Sequence, residues 1–274
     1  MRLDPIAMNE GDLSYLTRHL SRSTAVLVTG AGFSADARDC RGRPIPSVEA
    51  LRDELWQLCF GDEPVERDCA LGDVYQLALT RRRGDLAAFL HERLRVDRSR
   101  LPASYETWFS QPWERIYTLN IDDLDRAASE TFRLPRPLHP ISAVSDGEER
   151  PAEDALEVIH LNGLLDDDPE RLTFSWPQHG DRLSSVDRRY SELVRSWSAR
   201  PVVFVGTKLE EPALWQHLMM RRGRGKAHPP KSFLVVPSVS RPKQALLSDF
   251  GIQWVPMTAE EFARKVLTTR VAGA

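Results

Sequence analysis

The sequence predicts an α/β fold: a Rossmann-like parallel sheet with helices on both faces and an inserted helical subdomain. Short, nearly continuous apolar runs rich in β-branched residues alternate with amphipathic stretches, as expected of parallel strands covered on both faces. Between about residues 45 and 110 this alternation stops, and helical patterns follow one another without a convincing strand. We therefore expect residues 1–274 to form one domain that carries the helical subdomain at about 45–110.

Five apolar runs are predicted to be buried strands. They lie at residues 25–29, 115–118, 157–161, 202–205 and 233–236. The stretch 134–154 is rich in proline and charge, which predicts a loop.

Three helices are predicted from apolar periodicity and capping residues. In residues 47–59, Leu51 and Leu55 lie on the apolar stripe and Ser47 is a suitable N-cap. A similar stripe runs through residues 84–96. Near the end of the chain, Thr258 and Glu261 have the spacing of a capping box.

Composition excludes several classes of protein. The chain has 37 Lys+Arg, 40 Asp+Glu and a formal net charge of -3, so no direct nucleic-acid binding is expected. No apolar run reaches the length of a membrane span, and the first ten residues lack a signal-peptide core. We therefore expect a cytoplasmic protein that does not contact membranes.

A basic cluster consists of Arg221, Arg222, Arg224 and Lys226. It has two interpretations, a phosphate contact or a solvated helix end, of which the second is favoured.

The first motif follows the first predicted strand. Gly30, Gly32 and Ala35 fit the pattern G-x-G-x-x-G/A, in which glycines allow a tight turn and a close approach of the backbone to a pyrophosphate. The same turn also occurs for purely structural reasons. The acidic residue usually found about 20 positions later is Glu49 here, but it lies in the helical region.

Three further predicted strands end in polar or small residues. Asn120 and Asp122 follow the second strand, where the alternative role is an Asx-turn and helix cap. His160 and Asn162 stand at the end of the third. Gly206 starts the turn after the fourth. In open α/β sheets, ligands bind at this edge.

Four segments of the chain, taken in order, resemble the sirtuin-like family: T-G-A-G-F-S, T-L-N-I-D, H-L-N-G and V-G-T-K-L-x-x-P. More narrowly, they resemble the bacterial branch whose domains lack the zinc module and act as NADases in antiphage defence. The resemblance implies that NAD⁺ is the substrate and that no metal is needed. It implies that the cofactor-binding residues are Gly30, Ala31, Gly32, Phe33, Ser34, Gly206 and Thr207. It implies that the catalytic residues are Asn120, Asp122, Asn162 and His160.

One residue departs from the family pattern. The family's catalytic His immediately precedes the glycine of the third motif, and this chain has Asn162 there. Strand periodicity places His160 on the same face, so His160 either reaches the ribose from one step back or is a structural histidine. The second interpretation is favoured, because a lone histidine in a strand is more often structural.

The leading functional expectation is an NAD⁺ glycohydrolase that acts as a defence effector through NAD⁺ depletion. Protein deacylation is not expected, because Cys40, Cys59 and Cys69 are too few for the four-cysteine zinc module of sirtuin deacylases. Two alternatives stay open: a non-catalytic module that binds NAD⁺ or ADP-ribose, and a structural domain with an empty pocket. The expected partners are further copies of the chain, a sensor protein, separate or fused, or both.

Overall fold

The computed structural model describes residues 8–66, 68–145, 153–184, 186–222 and 230–268, with only the backbone for 220–222. Within them, seven parallel strands form one sheet in the order β3-β4-β2-β1-β5-β6-β7. The strands are β1 (Val26–Thr29), β2 (Arg115–Thr118), β3 (Leu138–Ser142), β4 (Leu156–His160), β5 (Val202–Val205), β6 (Ser232–Val235) and β7 (Ile252–Val255).

The described residues also form eleven α-helices. They are α1 (Glu10–Ser21), α2 (Val48–Phe60), α3 (Leu71–Arg81), α4 (Arg83–Leu94), α5 (Ala103–Phe109), α6 (Leu124–Thr131), α7 (Trp176–Leu183), α8 (Arg188–Ala199), α9 (Pro212–Arg222), α10 (Arg241–Asp249) and α11 (Ala259–Phe262). A π-helical turn, Ala263–Leu267, continues α11.

Helices cover both faces of the sheet, as the sequence predicts. Successive residues of a strand point to opposite faces. Leu27 of β1 belongs to a hydrophobic cluster with residues of α1–α6 and α11, whereas Val26 and Val28 belong to a second cluster with α8, α9 and α10. All four residues of β1 are buried, which explains why the central strands appear in the sequence as continuous apolar runs.

The five predicted strands are present, with ends that differ by at most one residue, but two more strands were missed. The prediction of a loop over 134–154 is wrong for Leu138–Ser142, which is β3. This strand is only half-buried and contains Pro140, which an edge strand with one neighbour tolerates. The other missed strand, β7, lies at the opposite edge, and its Gln253 and Trp254 are only partly covered.

The predicted helix ends agree closely with the structure. Ser47 caps α2 by accepting a hydrogen bond from the Ala50 amide at 3.2 Å. Thr258 and Glu261 form the predicted capping box of α11. The helix predicted over 84–96 ends earlier, at Leu94. The chain then turns into a short bridge between Val96 and Asp39.

Helices α2–α5 occupy the interval between β1 and β2 that was predicted to be helical. Arg93 of α4 connects two parts of this region: its guanidinium contacts Asp39 at 2.6 Å and Glu54 of α2 at 2.5 Å. Residues such as Leu55 and Tyr75 share one hydrophobic cluster with Leu27 of the sheet.

The boundaries of a subdomain at about 45–110 stay a prediction. The basic cluster at 221–226 lies outside the side chains described.

Among the helices described, none is both long enough and apolar enough to cross a membrane.

Candidate nucleotide site at the carboxyl edge of the sheet

The four sequence motifs meet at one edge of the sheet. Strand β1 pairs with β2 on one side and with β5 on the other. The order in which strands are added to the sheet therefore reverses at β1. The pairing register places Thr29 beside Thr118 and Val205, and Thr118 beside His160. The strands that precede the four motifs therefore end in one row, at the switch point where open α/β sheets bind ligands.

The glycine turn, residues 30–34, packs directly against the turn that follows β5. The Gly30 amide donates to the Val205 carbonyl at 3.0 Å, and the Gly32 amide donates to the Gly206 carbonyl at 2.8 Å. A Cβ on Gly30 would lie 2.7 Å from Cβ of Thr207, and one on Gly32 would lie 2.9 Å from Cα of Gly206. The glycines are thus required by the contact between the two turns.

Most amides of the glycine turn are already hydrogen-bonded within the protein. Besides the Gly30 and Gly32 amides, the Phe33 amide donates to Gly30 and the Ser34 amide donates to Ala31. A pyrophosphate at this turn would therefore need other donors, such as side chains.

Phe33, predicted to contact the cofactor, anchors the glycine turn to the helical region. Its ring lies edge-on to Tyr105, Trp108 and Phe109, with centroids 5.5, 5.6 and 6.1 Å away. The Tyr105 hydroxyl donates to the Phe33 carbonyl at 2.9 Å. The side chain is 2% exposed and borders the cavity described next.

A small cavity lies beside the glycine turn, between the ends of β1, β2 and β4. Its volume is about 20 Å³, enough for one water molecule but far too small for a nicotinamide ring. Three of the predicted catalytic residues line it: Asn120, Asp122 and His160. Two of the predicted cofactor-binding residues, Phe33 and Ser34, also line it, together with Asp125, which sequence reasoning missed.

Asn120 links the second motif to the first. Its side-chain Nδ2 donates to the Gly30 carbonyl at 3.0 Å and to Ser34 Oγ at 2.9 Å. Its backbone amide donates to Thr118 Oγ1 at 3.1 Å. The side chain thus spans the gap between the exits of β1 and β2.

Asp122 is a buried carboxyl group whose pKa lies closer to neutral pH than is usual for aspartate. Burial raises its pKa from 3.8 to about 6, against the opposing effects of the Ser34 hydroxyl and of positive charge on His160. Its Oδ1 accepts a hydrogen bond from the Leu124 amide at 3.3 Å. The alternative role as an Asx-type cap is therefore present, and Asp122 lines the cavity as well.

His160 is buried, and both of its ring nitrogens face an oxygen. Nδ1 lies 3.0 Å from the Asn120 carbonyl oxygen, and Nε2 lies 3.1 Å from Asp125 Oδ2. Burial lowers the pKa of His160, but the negative charge of Asp125, its hydrogen bond, Asp122 and the Asn120 carbonyl raise it above the usual value.

Asn162 lies next to this group without lining the cavity. Its Nδ2 donates to the Leu119 carbonyl at 2.8 Å, and its own carbonyl accepts from the Thr173 amide at 3.0 Å. Its side-chain oxygen is buried and has no hydrogen-bond partner among the residues that the structure describes. The structure therefore brings His160 to the cavity, whereas Asn162 does not line it.

The turn after β5 contacts the helical region through charged side chains. Thr207 Oγ1 accepts a hydrogen bond from the Leu209 amide at 3.0 Å. Lys208 Nζ lies 3.1 Å from Glu49 Oε1, so the acidic residue noted in the sequence pairs with this turn. A hydrogen bond from the backbone amide of Glu49, followed by the hydrogen bond from Lys208, holds the pKa of the Glu49 carboxyl below its usual value.

Asp125 had no recognisable signal in the sequence, because it is one of several acidic residues around the start of α6. Asp123, two positions earlier, points away from the cavity: its Oδ1 accepts from the Val96 amide and its Oδ2 from Arg98, both at 2.7 Å. Within the described residues, no group of three or more His, Cys, Asp or Glu side chains is arranged to hold a metal ion.

A parallel sheet with polar side chains gathered at its switch point defines a nucleotide-binding class of α/β protein. The family model of the SIR2-like domain matches residues 114–255, just over half of the chain. The chain belongs to the SIR2-like family, and its function is therefore NAD-related. The match includes the second, third and fourth motifs and begins after the glycine turn. Among curated proteins, none matches the sequence.

Proposed function

We propose that this protein cleaves NAD⁺ at the bond between nicotinamide and ribose, releasing nicotinamide and ADP-ribose. The observation that carries the proposal is the meeting of the glycine turn, Asn120 and Asp122 at the switch point of a SIR2-like chain. Such an arrangement suits a nucleotide whose reactive ribose lies over the ends of β1 and β2.

The chemistry requires little acid catalysis. Nicotinamide carries a positive charge in NAD⁺ and leaves as a neutral ring, so the leaving group needs no proton. The protein must instead stabilise an oxocarbenium-like ribose and position a water molecule. Ionised Asp122 supplies negative charge beside the cavity. With a pKa of about 6, about nine-tenths of this group is ionised at pH 7.

The size of the cavity suggests that catalysis is regulated. A cavity of about 20 Å³ must open before nicotinamide can enter. We therefore include in the proposal an activating step, either assembly of several copies or contact with a sensor protein, and a role as effector of a bacterial antiphage defence system. Rapid loss of cellular NAD⁺ would then stop infection.

The experiment is a chromatographic time course of NAD⁺ with the purified full chain at high concentration. Wild type is compared with Asn120→Ala, and with His91→Gln, an exposed residue of α4, as the control. We expect nicotinamide release by wild type and the control and at least a 10²-fold loss in Asn120→Ala, which removes the link to the glycine turn. The Asn162→Ala variant shows whether Asn162 contributes to turnover.

Two results would contradict the proposal. One is nicotinamide release that Asn120→Ala leaves unchanged. The other is persistence of NAD⁺ with protein that is demonstrably assembled or bound to its partner. The defence role is tested separately: cells that express wild type should lose NAD⁺ on phage infection, and cells that express Asn120→Ala should not.

A second candidate function is a non-catalytic module that binds NAD⁺ or ADP-ribose. It is favoured by Asn162, which replaces the family's histidine and is tied to Leu119 instead of facing the cavity. Calorimetry distinguishes the two functions: tight binding without turnover, with or without a partner, supports the module.

A further inference from the structure

We propose that Asp125 and His160 form a buried positioning pair that holds Asn120 in place, and that His160 does not act as a general base. The kinetic part of this inference rests on the proposed NAD⁺ hydrolysis, whereas its structural part does not.

The hydrogen-bond partners of His160 leave no nitrogen free to accept a proton. A carbonyl oxygen can only accept, so Nδ1, 3.0 Å from the Asn120 carbonyl, must carry a hydrogen. Nε2 faces Asp125 Oδ2 at 3.1 Å, and one proton lies between these two atoms. A general base needs an exposed lone pair within reach of the substrate. His160 has none in this arrangement.

The charges around the ring favour a permanent imidazolium. His160 and Asp125 are 2% and 4% exposed, so an unpaired charge on either would be costly. The groups that face the ring are Asp125 from α6, Asp122 from the loop before α6, and the Asn120 carbonyl, all negative or electron-rich. Burial raises the pKa of Asp125, but the charge and hydrogen bond of His160, together with the backbone amide and charge of Arg126, lower it overall. The pair is thus best described as imidazolium and carboxylate.

The pair acts on the site through Asn120. His160 fixes the Asn120 backbone from one side, and the Asn120 side chain then reaches Gly30 and Ser34 on the other. A continuous series of hydrogen bonds therefore connects α6, β4 and the glycine turn. Displacing a reacting group by about 1 Å can cost about 10²-fold in rate. Loss of the pair should consequently lower catalysis without removing any group that touches the substrate.

The direct test is nuclear magnetic resonance of the full chain labelled with ¹⁵N in histidine. The His160 signals are assigned by their loss in His160→Gln. We expect both ring nitrogens of His160 to stay protonated from pH 6 to 8, and the ring to become neutral in Asp125→Asn. The control is Asp166→Asn, an exposed carboxylate that contacts Arg126. A wild-type His160 that loses its proton between pH 6 and 8 would overturn the inference, whatever the activity.

Kinetics provides the second test. The side chain of His160→Gln can still donate a hydrogen bond but cannot act as a base, whereas His160→Ala does neither. We expect kcat within about 10-fold of wild type for Gln, about 10²-fold lower for Ala, and KM changed less than kcat. Equal losses in both variants, with the acidic limb of the pH–rate profile abolished, would show that His160 is a base. If wild type does not turn over NAD⁺, the proposed function fails while the spectroscopic test still decides this inference.

Discussion

The contact between the glycine turn and the turn after β5 differs in construction from the polar cluster formed by Asn120, Asp122, Asp125 and His160. The first is a contact between two backbones, in which glycines are required because no Cβ fits. The second consists of buried side chains whose charges compensate one another. The first region should therefore be sensitive to added volume and insensitive to pH. The stability of the second should depend on pH.

The largest effect is expected from adding a methyl group to the backbone contact. A Cβ on Gly206 would lie 2.1 Å from the Phe33 nitrogen, at a positive φ of 64°. Gly61 has nearly the same φ, 66°, with nothing within 4 Å, which makes it a matched control. We expect Gly61→Ala to lower the free energy of unfolding by about 1–3 kcal/mol, and Gly206→Ala by more than about 4 kcal/mol.

Urea denaturation of both variants measures this difference. Similar losses for Gly206→Ala and Gly61→Ala would mean that backbone conformation, and not the contact between the turns, accounts for the glycine at position 206.

A smaller effect, with a distinctive pH dependence, is expected in the polar cluster. The pKa of Asp122 is about 6 in the folded protein, above its ordinary 3.8, so the folded state holds this proton more tightly than the unfolded chain does. The carboxyl group therefore costs no stability at pH values below about 4. The cost grows as the pH rises through 6, to an upper limit of about 3 kcal/mol.

Asp122→Asn removes this titration while keeping an oxygen for the Leu124 amide. The variant should match wild type in stability near pH 4 and exceed it at pH 8, at the expense of NAD⁺ turnover. Urea midpoints measured from pH 4 to 8 provide the comparison. A stability difference that stays constant over this range would indicate that Asp122 does not titrate as described.

The smallest effect is expected from the exposed ion pair between Lys208 and Glu49. Both side chains are more than half exposed, and such pairs contribute about 0–1 kcal/mol. Lys208→Ala should therefore change the urea midpoint only slightly, and less at high salt than at low salt. A large loss would mean that charge, and not backbone contact, holds the turn after β5 against the helical region.

The central fold could be predicted from the sequence because its signals are local. Strands β1 and β5 are buried on both faces, so each is a run of mainly apolar residues. The edge strands β3 and β7 have one neighbour each and are only partly covered. Their residues, such as Pro140 and Gln253, therefore carry no clear strand pattern.

The candidate site could be predicted only in part. Asn120, Asp122 and His160 follow predicted strands, and the parallel arrangement brings them to one edge. Asn162 does not line the cavity, and its side chain is instead hydrogen-bonded to Leu119, 43 residues away in the chain. Asp125 could not be found, because its role depends on His160, 35 residues away.

By itself, the sequence determined five of the seven strands described, the helices between β1 and β2, and the four polar or glycine-rich strand ends. Apolar periodicity and the residue types that favour turns are properties of neighbouring residues, so they can be recognised in the sequence without a structure. Only the tertiary structure decided that Asp122 and Asp125 border the cavity while Asp123 faces Arg98. It also decided that both nitrogens of His160 are occupied. These roles depend on which distant groups share a buried environment, because there the energy of a charge is set by its partners and not by its position in the chain.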